Sequence, residues 1–216
     1  MRTRLLGAVC GCIFSLLGIS TSAHAVFLNG SFENGGVFVI PLDEILVLGS
    51  SGSSATRINW WNVTQDSIDW VGTEFWQASD GNFSLDLSGS QAGAIAQTFD
   101  TVIGQQYRVL FDKAANPDEN GSTIKTFQVS AAGTVSTYTT DRTGHTLQNM
   151  GWEQDSFLFS ATDSLTTLTF TSLTPGVYGA ALDNVQVNAV PLPPALWLFG
   201  SGLLGLIGLA KRRVQS

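Results

Sequence analysis

Apolar residues recur at every second position through the middle of the chain, in short runs separated by clusters of Gly, Asn, Asp and Ser. In the first run Phe83, Leu85 and Leu87 share one face, and Ser84 and Asp86 lie on the other. A two-residue period predicts β-strands, because successive side chains of a strand point to opposite sides. Six further runs follow: Ala94 to Phe99, Tyr107 to Phe111, Phe127 to Ala131, Phe157 to Phe159, Leu168 to Phe170 and Asp183 to Val187.

The last of these runs gives the clearest prediction of which side chains share a face. It sets Asp183, Val185 and Val187 against Leu182, Asn184 and Gln186. No window of the sequence shows a sustained helical period. Short strands that alternate with turn residues at this spacing predict an all-β fold of two packed sheets, most simply a jelly-roll β-sandwich.

The first 25 residues have the pattern of a secretory signal peptide. Arg2 and Arg4 precede an apolar stretch from Leu5 to Ile19, and Ala23-His24-Ala25 is a small-x-small cleavage site. We therefore expect residues 1–25 to be removed by cleavage after Ala25. Both cysteines of the chain lie inside this segment, so the mature domain must hold its fold by core burial or by a metal ion rather than by disulfides.

Residues 190–216 combine a Pro-rich segment, an uncharged apolar stretch and a basic end. The stretch from Leu192 to Ala210 carries no charge, and as a helix it would span roughly 28 Å. That length matches one crossing of a bilayer core of about 30 Å. The basic end, Lys211, Arg212 and Arg213, favours a cytoplasmic position. The tail thus predicts a single transmembrane helix, and a plain single-pass anchor is one interpretation of it.

The same tail resembles a PEP-CTERM sorting signal, with the VPLP variant in place of the name-giving Pro-Glu-Pro. The resemblance implies an exosortase as partner, a membrane-bound intermediate held by the tail, and then release or attachment at the cell surface. The residues that carry it are Val190, Pro191, Leu192, Pro193, Pro194, the run Gly202 to Leu206, and Lys211, Arg212 and Arg213.

Between the two ends lies one domain, residues 26–189, with a strongly acidic balance. All 17 Asp and Glu residues of the chain fall in it, against five Lys and Arg residues, for a net charge of −12. This balance argues against nucleic acid or anionic lipid as a partner. It is typical of an extracellular protein, and it supplies carboxylates for hard cations such as calcium.

The domain resembles the bacterial choice-of-anchor C family, which is similar to a plant cell-wall family of galactose-binding-like domains (domain of unknown function 642). The resemblance implies a galactose-binding-like jelly roll and no established activity. The motifs that carry it, in chain order, are Asn29-Gly30-Ser31-Phe32-Glu33, Trp60 to Asp69, Ala78 to Gly89, Ala96 to Tyr107, Ala115-Asn116-Pro117, Asn149 to Trp152, and Ala181 to Val185.

Jelly-roll carbohydrate-binding modules place an Asn-Gly-x-Phe-Glu start beside an Asp-Asn-Val end and hold a structural calcium there. Carried over to this sequence, the resemblance implies Glu33, Asp183 and Asn184 as ligands, with loop carbonyls completing the six to eight oxygens that calcium takes. The alternative is that Asp183 caps a turn and Glu33 pairs with a surface base.

The tryptophans offer flat rings on which the C–H faces of sugars stack. Trp61 and Trp70 are expected to fill the core between the sheets. Trp76 is the better surface candidate, because the polar residues Gln77, Asp80 and Asn82 follow it closely and can fix sugar hydroxyls.

Nothing in the mature domain forms a recognisable catalytic motif. His145 is the only histidine of the mature domain, and the domain contains no cysteine. Thiol chemistry and His-based zinc sites are therefore excluded. We therefore expect a protein that is not an enzyme and that binds carbohydrate or exopolysaccharide outside the cell. The competing interpretations are a structural matrix protein without a ligand site and an ice-binding protein, the latter suggested by Thr167, Thr169 and Thr171.

Overall fold

The computed structural model describes residues 26–36 and 40–191. Within them the chain forms eleven strands and one 3₁₀ helix, Gly52–Ser54. The strands are β1 Ile45–Gly49, β2 Asn62–Gln65, β3 Ser67–Gly72, β4 Phe83–Asp86, β5 Ala94–Asp100, β6 Gln106–Ala115, β7 Ile124–Ala131, β8 Thr134–Asp141, β9 Glu153–Ser160, β10 Leu165–Ser172 and β11 Ala180–Ala189.

These strands form two antiparallel sheets. One has six strands in the order β1-β3-β4-β11-β6-β9, and the other has five in the order β2-β5-β10-β7-β8. Rings from both sheets meet between them: Phe111 of β6 packs edge-on against Phe127 of β7 and Phe170 of β10, at centroid distances of 6.0 and 5.5 Å. The predicted all-β sandwich is confirmed.

Two fully buried tryptophans connect this core to the N-terminal segment. The Trp61 indole nitrogen donates to the carbonyl of Asn29 at 2.8 Å, and that of Trp70 donates to the carbonyl of Phe32 at 3.1 Å. Each ring is thereby buried with its one polar atom satisfied. The prediction that Trp61 and Trp70 fill the core is confirmed.

Seven strands, β4 to β7 and β9 to β11, correspond to predicted runs, whereas β1, β2, β3 and β8 have no predicted counterpart. In β3 five of the six residues are buried, because one face lies on the core and the other lies under loops. Ile68 and Trp70 alternate with Ser67 and Asp69, but Val71 breaks the pattern because it is packed in an apolar cluster on the outer face. In β8 the alternation is between mostly polar side chains, with Tyr138 as its single aromatic residue.

A bulge in β11 overturns one predicted face. The register between β11 and β6 shifts between Asp183 and Gln186, and Asn184 has a φ of 47°. Because a bulge inserts one residue, Leu182 and Val185 both face the core. Asp183 points to the outer side, so the prediction that it shares a face with Val185 and Val187 is wrong.

The N-terminal segment lies against this bulge. The Val185 N–H donates to the carbonyl of Gly30 at 2.9 Å. A Cβ at Gly30 would overlap the carbonyl oxygen of Val185, so the close approach of the two backbones requires glycine. The Asn29–Glu33 and Asp183–Val185 motifs therefore lie side by side, as the resemblance implied.

No helix among residues 26–36 and 40–191 is long and apolar enough to cross a membrane. The predicted signal peptide, residues 1–25, and the predicted transmembrane segment from Leu192 onward lie outside the described residues. Of the proposed sorting residues, Val190 and Pro191 are described.

The outer face of the six-stranded sheet is partly covered by two loops, residues 73–82 and 143–152. A second apolar cluster is buried beneath them, separate from the main core. Its members are Val71, Trp76, Ala114, Met150 and Ala181, with Phe75, Leu147 and Trp152 packed against them. This cluster forms one border of the candidate site.

Candidate functional site

A cleft of about 480 Å³ opens beside the covered cluster, on the outer face of the six-stranded sheet. Strands β1 and β3 contribute to it, and loops from four separate parts of the chain complete its walls. The lining residues are Ile45, Asp69, Phe75, Asn116, Pro117, Asp118, Glu119, His145, Thr146, Leu147, Gln148, Val177 and Tyr178. We call this feature the cleft.

Two aspartates occupy adjacent positions of the sheet at the cleft. Asp69 of β3 lies directly opposite Asp86 of β4, and the same row continues through Ala181 and Ala114. Burial disfavours the ionised form of a carboxylate, and a second carboxylate directly opposite disfavours it too. Burial raises the pKa of Asp69 to about 7.

Asp86 connects the sheet to two walls of the cleft. Its carboxylate accepts hydrogen bonds from the Asn116 side chain at 2.7 Å, from the Ser88 N–H at 2.8 Å and from the Gly179 N–H at 2.9 Å. A Cβ at Gly179 would overlap the carboxylate, so this contact requires glycine. Burial raises the pKa of Asp86 to about 8, although these hydrogen bonds act in the opposite direction.

Two cleft residues have a buried polar atom without a hydrogen-bond partner among the described residues. They are Asp69, through Oδ1, and His145, through Nδ1. The His145 ring packs so closely on Gly151, which has a φ of 66°, that a Cβ there would overlap it. An orphaned buried polar group costs free energy. Both atoms are enclosed by the protein itself, and His145 Nδ1 lies against Gly151, so neither atom is presented to the cleft.

A buried lysine lies behind the loop that carries Asp118. Lys125 is 0 % exposed, and its Nζ would be 2.5 Å from a Cβ at Gly121. Burial lowers the pKa of Lys125, while Asp86 and Asp118 favour its charged form and Arg142 opposes it. Lys125 does not line the cleft, so its positive charge acts on the cleft carboxylates from within the protein.

Residues 25–188 match the family described as "Protein of unknown function (DUF642)". The chain belongs to the DUF642 family. Over 172 residues it is 28 % identical to Halomucin of Haloquadratum walsbyi. The matched region covers 78 % of this chain and 2 % of Halomucin. The DUF642 chain therefore spans a very small part of the length of that relative.

Solved carbohydrate-binding modules are similar to the DUF642 domain at low sequence identity. TmCBM61, in complex with β-1,4-galactotriose, is 15 % identical, with a TM-score of 0.43 over 76 % of this chain and 97 % of its own. A family 35 module from Clostridium thermocellum is 12 % identical, with a TM-score of 0.46 over 68 % of this chain and 99 % of its own.

The predicted calcium ligands of the DUF642 domain hold one turn, residues 79–83, from two sides. Glu33 accepts hydrogen bonds from the backbone N–H groups of Asn82 and Phe83, both at 2.8 Å. Asp183 accepts them from Ser79 at 2.8 Å and Asp80 at 2.9 Å. Burial raises the pKa of Asp183 to about 8, against the effect of its N–H partners.

The donor set for calcium is small within the described residues, which contain no group of three or more acidic, His or Cys side chains arranged to hold a metal. Asn184 donates from its side chain to Asp112 at 3.0 Å. Since calcium takes six to eight oxygens, Glu33 and Asp183 would need backbone carbonyls and water to complete a site. Calcium binding by Glu33, Asp183 and Asn184 stays a prediction.

The four predicted carbohydrate-binding residues lie beside the cleft rather than in its lining. Trp76 is 2 % exposed, and its indole donates to the Ser84 hydroxyl at 2.7 Å. The expectation that Trp76 is a surface residue is wrong, because the covering loops bury it. Gln77 accepts from the Met150 N–H at 3.2 Å, whereas Asp80 and Asn82 are exposed on the 79–83 turn.

Some of the residues at the cleft could be anticipated from the sequence. Asp86 is expected on the face away from the core, and the structure confirms it. Asn116 lies in a motif of the family resemblance, and His145 is conspicuous as the single histidine of the domain. Asp69 ends the Trp60–Asp69 motif of the resemblance, whereas nothing local marks Tyr178, which the path of the 175–179 loop brings to the cleft.

Proposed function

We propose that this DUF642 domain binds carbohydrate in the cleft. The observation that carries the proposal is a cleft lined by the Phe75 and Tyr178 rings together with carboxylate and amide side chains. Its volume lies within the range of about 300–1,000 Å³ of small-molecule sites. Aromatic faces stack on sugar C–H groups, and the Asp69, Asp118 and Glu119 carboxylates that line the cleft can accept hydrogen bonds from hydroxyls.

Binding without catalysis fits the paired aspartates better than hydrolysis does. A glycosidase needs two carboxylates that both reach the scissile bond. Asp86 is 1 % exposed, and its oxygens accept hydrogen bonds from Asn116, Ser88 and Gly179. One member of the pair thus serves to build the cleft walls.

A glycan array followed by titration calorimetry tests this function. Aromatic contacts contribute about 0.5–1.5 kcal/mol, so Phe75→Ala and Tyr178→Ala should each weaken sugar binding by about two- to tenfold. Trp60→Ala is the matched control, because Trp60 is 52 % exposed and lies outside the cleft lining. No binding to any glycan, or an equal loss in Trp60→Ala, would refute the proposal.

We further propose that the protein is exported and sorted by an exosortase. The support is the order of segments in the sequence, a signal peptide at residues 1–25 and a Pro-rich, apolar and basic tail at residues 190–216. Mass spectrometry of cell-surface material should find the chain ending between Val190 and Pro194. Recovery of peptides that extend through Arg213 would contradict cleavage of the tail, and a plain single-pass membrane anchor would then be the interpretation of residues 190–216.

Neutral residues in place of the basic end provide a second test of sorting. With Lys211, Arg212 and Arg213 replaced, the tail loses the charges that stop its transfer. Unprocessed precursor is then expected in the medium, measured by immunoblot against the tail. Unchanged processing in this variant would show that the basic end has no role.

A further inference from the structure

The cleft contains more hydrogen-bond acceptors than free donors. Three carboxylates, Asp69, Asp118 and Glu119, line it, and no Lys or Arg is among the described residues that do so. An ionised carboxylate only accepts hydrogen bonds, and it carries a negative charge. A ligand suited to this lining is rich in donors.

The amide at the base of the cleft does not correct this imbalance. Asn116 donates to Asp86 at 2.7 Å and accepts from the Asp118 N–H at 3.0 Å, so both of its side-chain groups are engaged within the protein. Lys125, which is buried and outside the lining, interacts electrostatically with Asp86 and Asp118 but does not line the cleft. Besides the three carboxylates, the lining has the neutral side chains of Thr146, Gln148 and Tyr178, which can donate or accept, so every formal charge in it is negative.

We propose that the cleft selects sugars that carry a free amino group, and that Asp69 binds the ammonium. This inference rests on the proposed carbohydrate function and names the class of sugar. An ammonium offers three donors and a positive charge. Asp69 lines the cleft, and an ammonium would add a charge–charge attraction to its hydrogen bonds with the carboxylate, whereas a hydroxyl offers the hydrogen bond alone.

The protonation of Asp69 gives this proposal a distinctive readout. With a pKa raised to about 7 by burial, Asp69 holds a proton for much of the time at pH 6.5. A bound cation favours the charged carboxylate and lowers that pKa, so binding should release protons. The other titratable groups around Asp69 are Asp86 on the next strand and Asp118, Glu119, His145 and Tyr178 across the cleft.

Calorimetry on the full-length protein at pH 6.5 tests the proposal with a tetramer of glucosamine and the matched tetramer of N-acetylglucosamine. We expect the free amine to bind at least about tenfold more tightly, the factor that one charge-assisted hydrogen bond provides. Titrations in buffers of different ionisation enthalpy should show proton release for the glucosamine tetramer. The acetylated tetramer should show none.

Asp69→Asn keeps the shape of the side chain and removes its charge. It should abolish proton release and the preference for the amine, while affinity for the acetylated tetramer stays within about twofold. Glu119→Gln, at an exposed position of the lining, should reduce the preference by a smaller factor. Asp100→Asn, an exposed carboxylate of the five-stranded sheet, is the matched control and should change neither.

Three outcomes would overturn the inference. Equal or tighter binding of the acetylated tetramer would refute selection of the amine and leave carbohydrate binding intact. Proton release that persists in Asp69→Asn would assign the ammonium to another group. Putrescine that binds as tightly as the glucosamine tetramer would show a cation site without sugar recognition. If neither tetramer nor any arrayed glycan binds, the proposed function itself fails.

Discussion

The two outer faces of the sandwich differ in both charge and cover. The outer face of the six-stranded sheet carries four aspartates, and loops cover it in part. They are Asp69, Asp86, Asp112 and Asp183. The outer face of the five-stranded sheet carries mostly small, uncharged side chains along its central strands, with Asp100 at the end of β5. They include Ala94, Ala96, Thr98, Thr126, Gln128, Ser130, Thr167, Thr169 and Thr171.

This difference shows what the covering loops are for. We call the outer face of the five-stranded sheet the bare face and that of the six-stranded sheet the covered face. On the bare face threonine hydroxyls can bond to one another, as in the 2.8 Å hydrogen bond between Thr98 and Thr167. Carboxylates in the middle of a sheet need hydrogen-bond donors once they are buried. The 79–83 turn supplies donors to Asp183, and the loops that carry Asn116 and Gly179 supply donors to Asp86 and also form two walls of the cleft.

The largest expected effect is the difference in stability between a variant of the covered face and a variant of the bare face. Trp76→Ala should lower the free energy of unfolding by about 3–5 kcal/mol, because it leaves a large cavity under the loops. That corresponds to roughly 6–20 °C in melting temperature. Thr169→Ala, on the bare face, should stay within about 0.5 kcal/mol. Similar melting temperatures for the two variants would show that the loops do not stabilise the covered face.

The pH dependence of stability should come from the covered face. Asp86 and Asp183 have a pKa of about 8 in the folded protein, against about 3.9 when unfolded. Each therefore binds its proton more tightly when folded. Their contribution is complete below about pH 4 and is lost as the pH rises through 8, by a few kcal/mol.

Denaturant titrations between pH 5 and 9, with chelator present, measure this loss. Asp86→Asn should remove much of it, because the neutral amide cannot ionise. Asp163→Asn, at an exposed position between β9 and β10, should leave it unchanged. A stability that rises with pH would contradict the assignment.

Calcium should also act on the covered face alone. If Glu33 and Asp183 share an ion, a hundredfold excess over Kd stabilises the folded state by about 2.7 kcal/mol, or roughly 5–10 °C. Asp183→Ala and Glu33→Gln should each abolish this calcium-dependent increment, and Asp141→Ala should keep it. Melting curves that coincide in excess calcium and in excess chelator would reject the site.

The smallest effect is expected on the bare face. Thr169→Lys adds a charge at a half-buried position of β10, and it should change the free energy of unfolding by no more than about 0.5 kcal/mol. Sugar binding in the cleft should be unaffected. Ice shaping by the wild type that Thr169→Lys abolishes would instead support the ice-binding interpretation of this face.

The strands that sequence predicted are those with one face on the core. Phe83, Leu85 and Leu87 alternate cleanly with polar residues because only one side of β4 meets the main core. The pattern failed for β3, whose second face lies under the loops, and it failed at the β11 bulge. The extra residue there reverses the alternation after Asp183. A strict two-residue period cannot show where a bulge inserts a residue.

The cleft was harder to predict than the fold, for the same physical reason. Trp76 is followed by polar residues that are typical of a surface turn, yet the loop it belongs to folds back on the sheet. Asp69 and Asp86 are neighbours only through strand register. A site assembled from four loops and two strands has no local sequence period, whereas the core does.

The position of β11 sets the order in which the domain can be completed. β11 is the last strand of the domain in sequence, and it lies in the middle of the six-stranded sheet, between β4 and β6. Without residues from Ala180 onward, the six-stranded sheet consists of two parts that are not hydrogen-bonded to each other, β1-β3-β4 and β6-β9. Such distant pairings fold slowly. The six-stranded sheet therefore becomes continuous only when the final ten residues occupy the gap between β4 and β6.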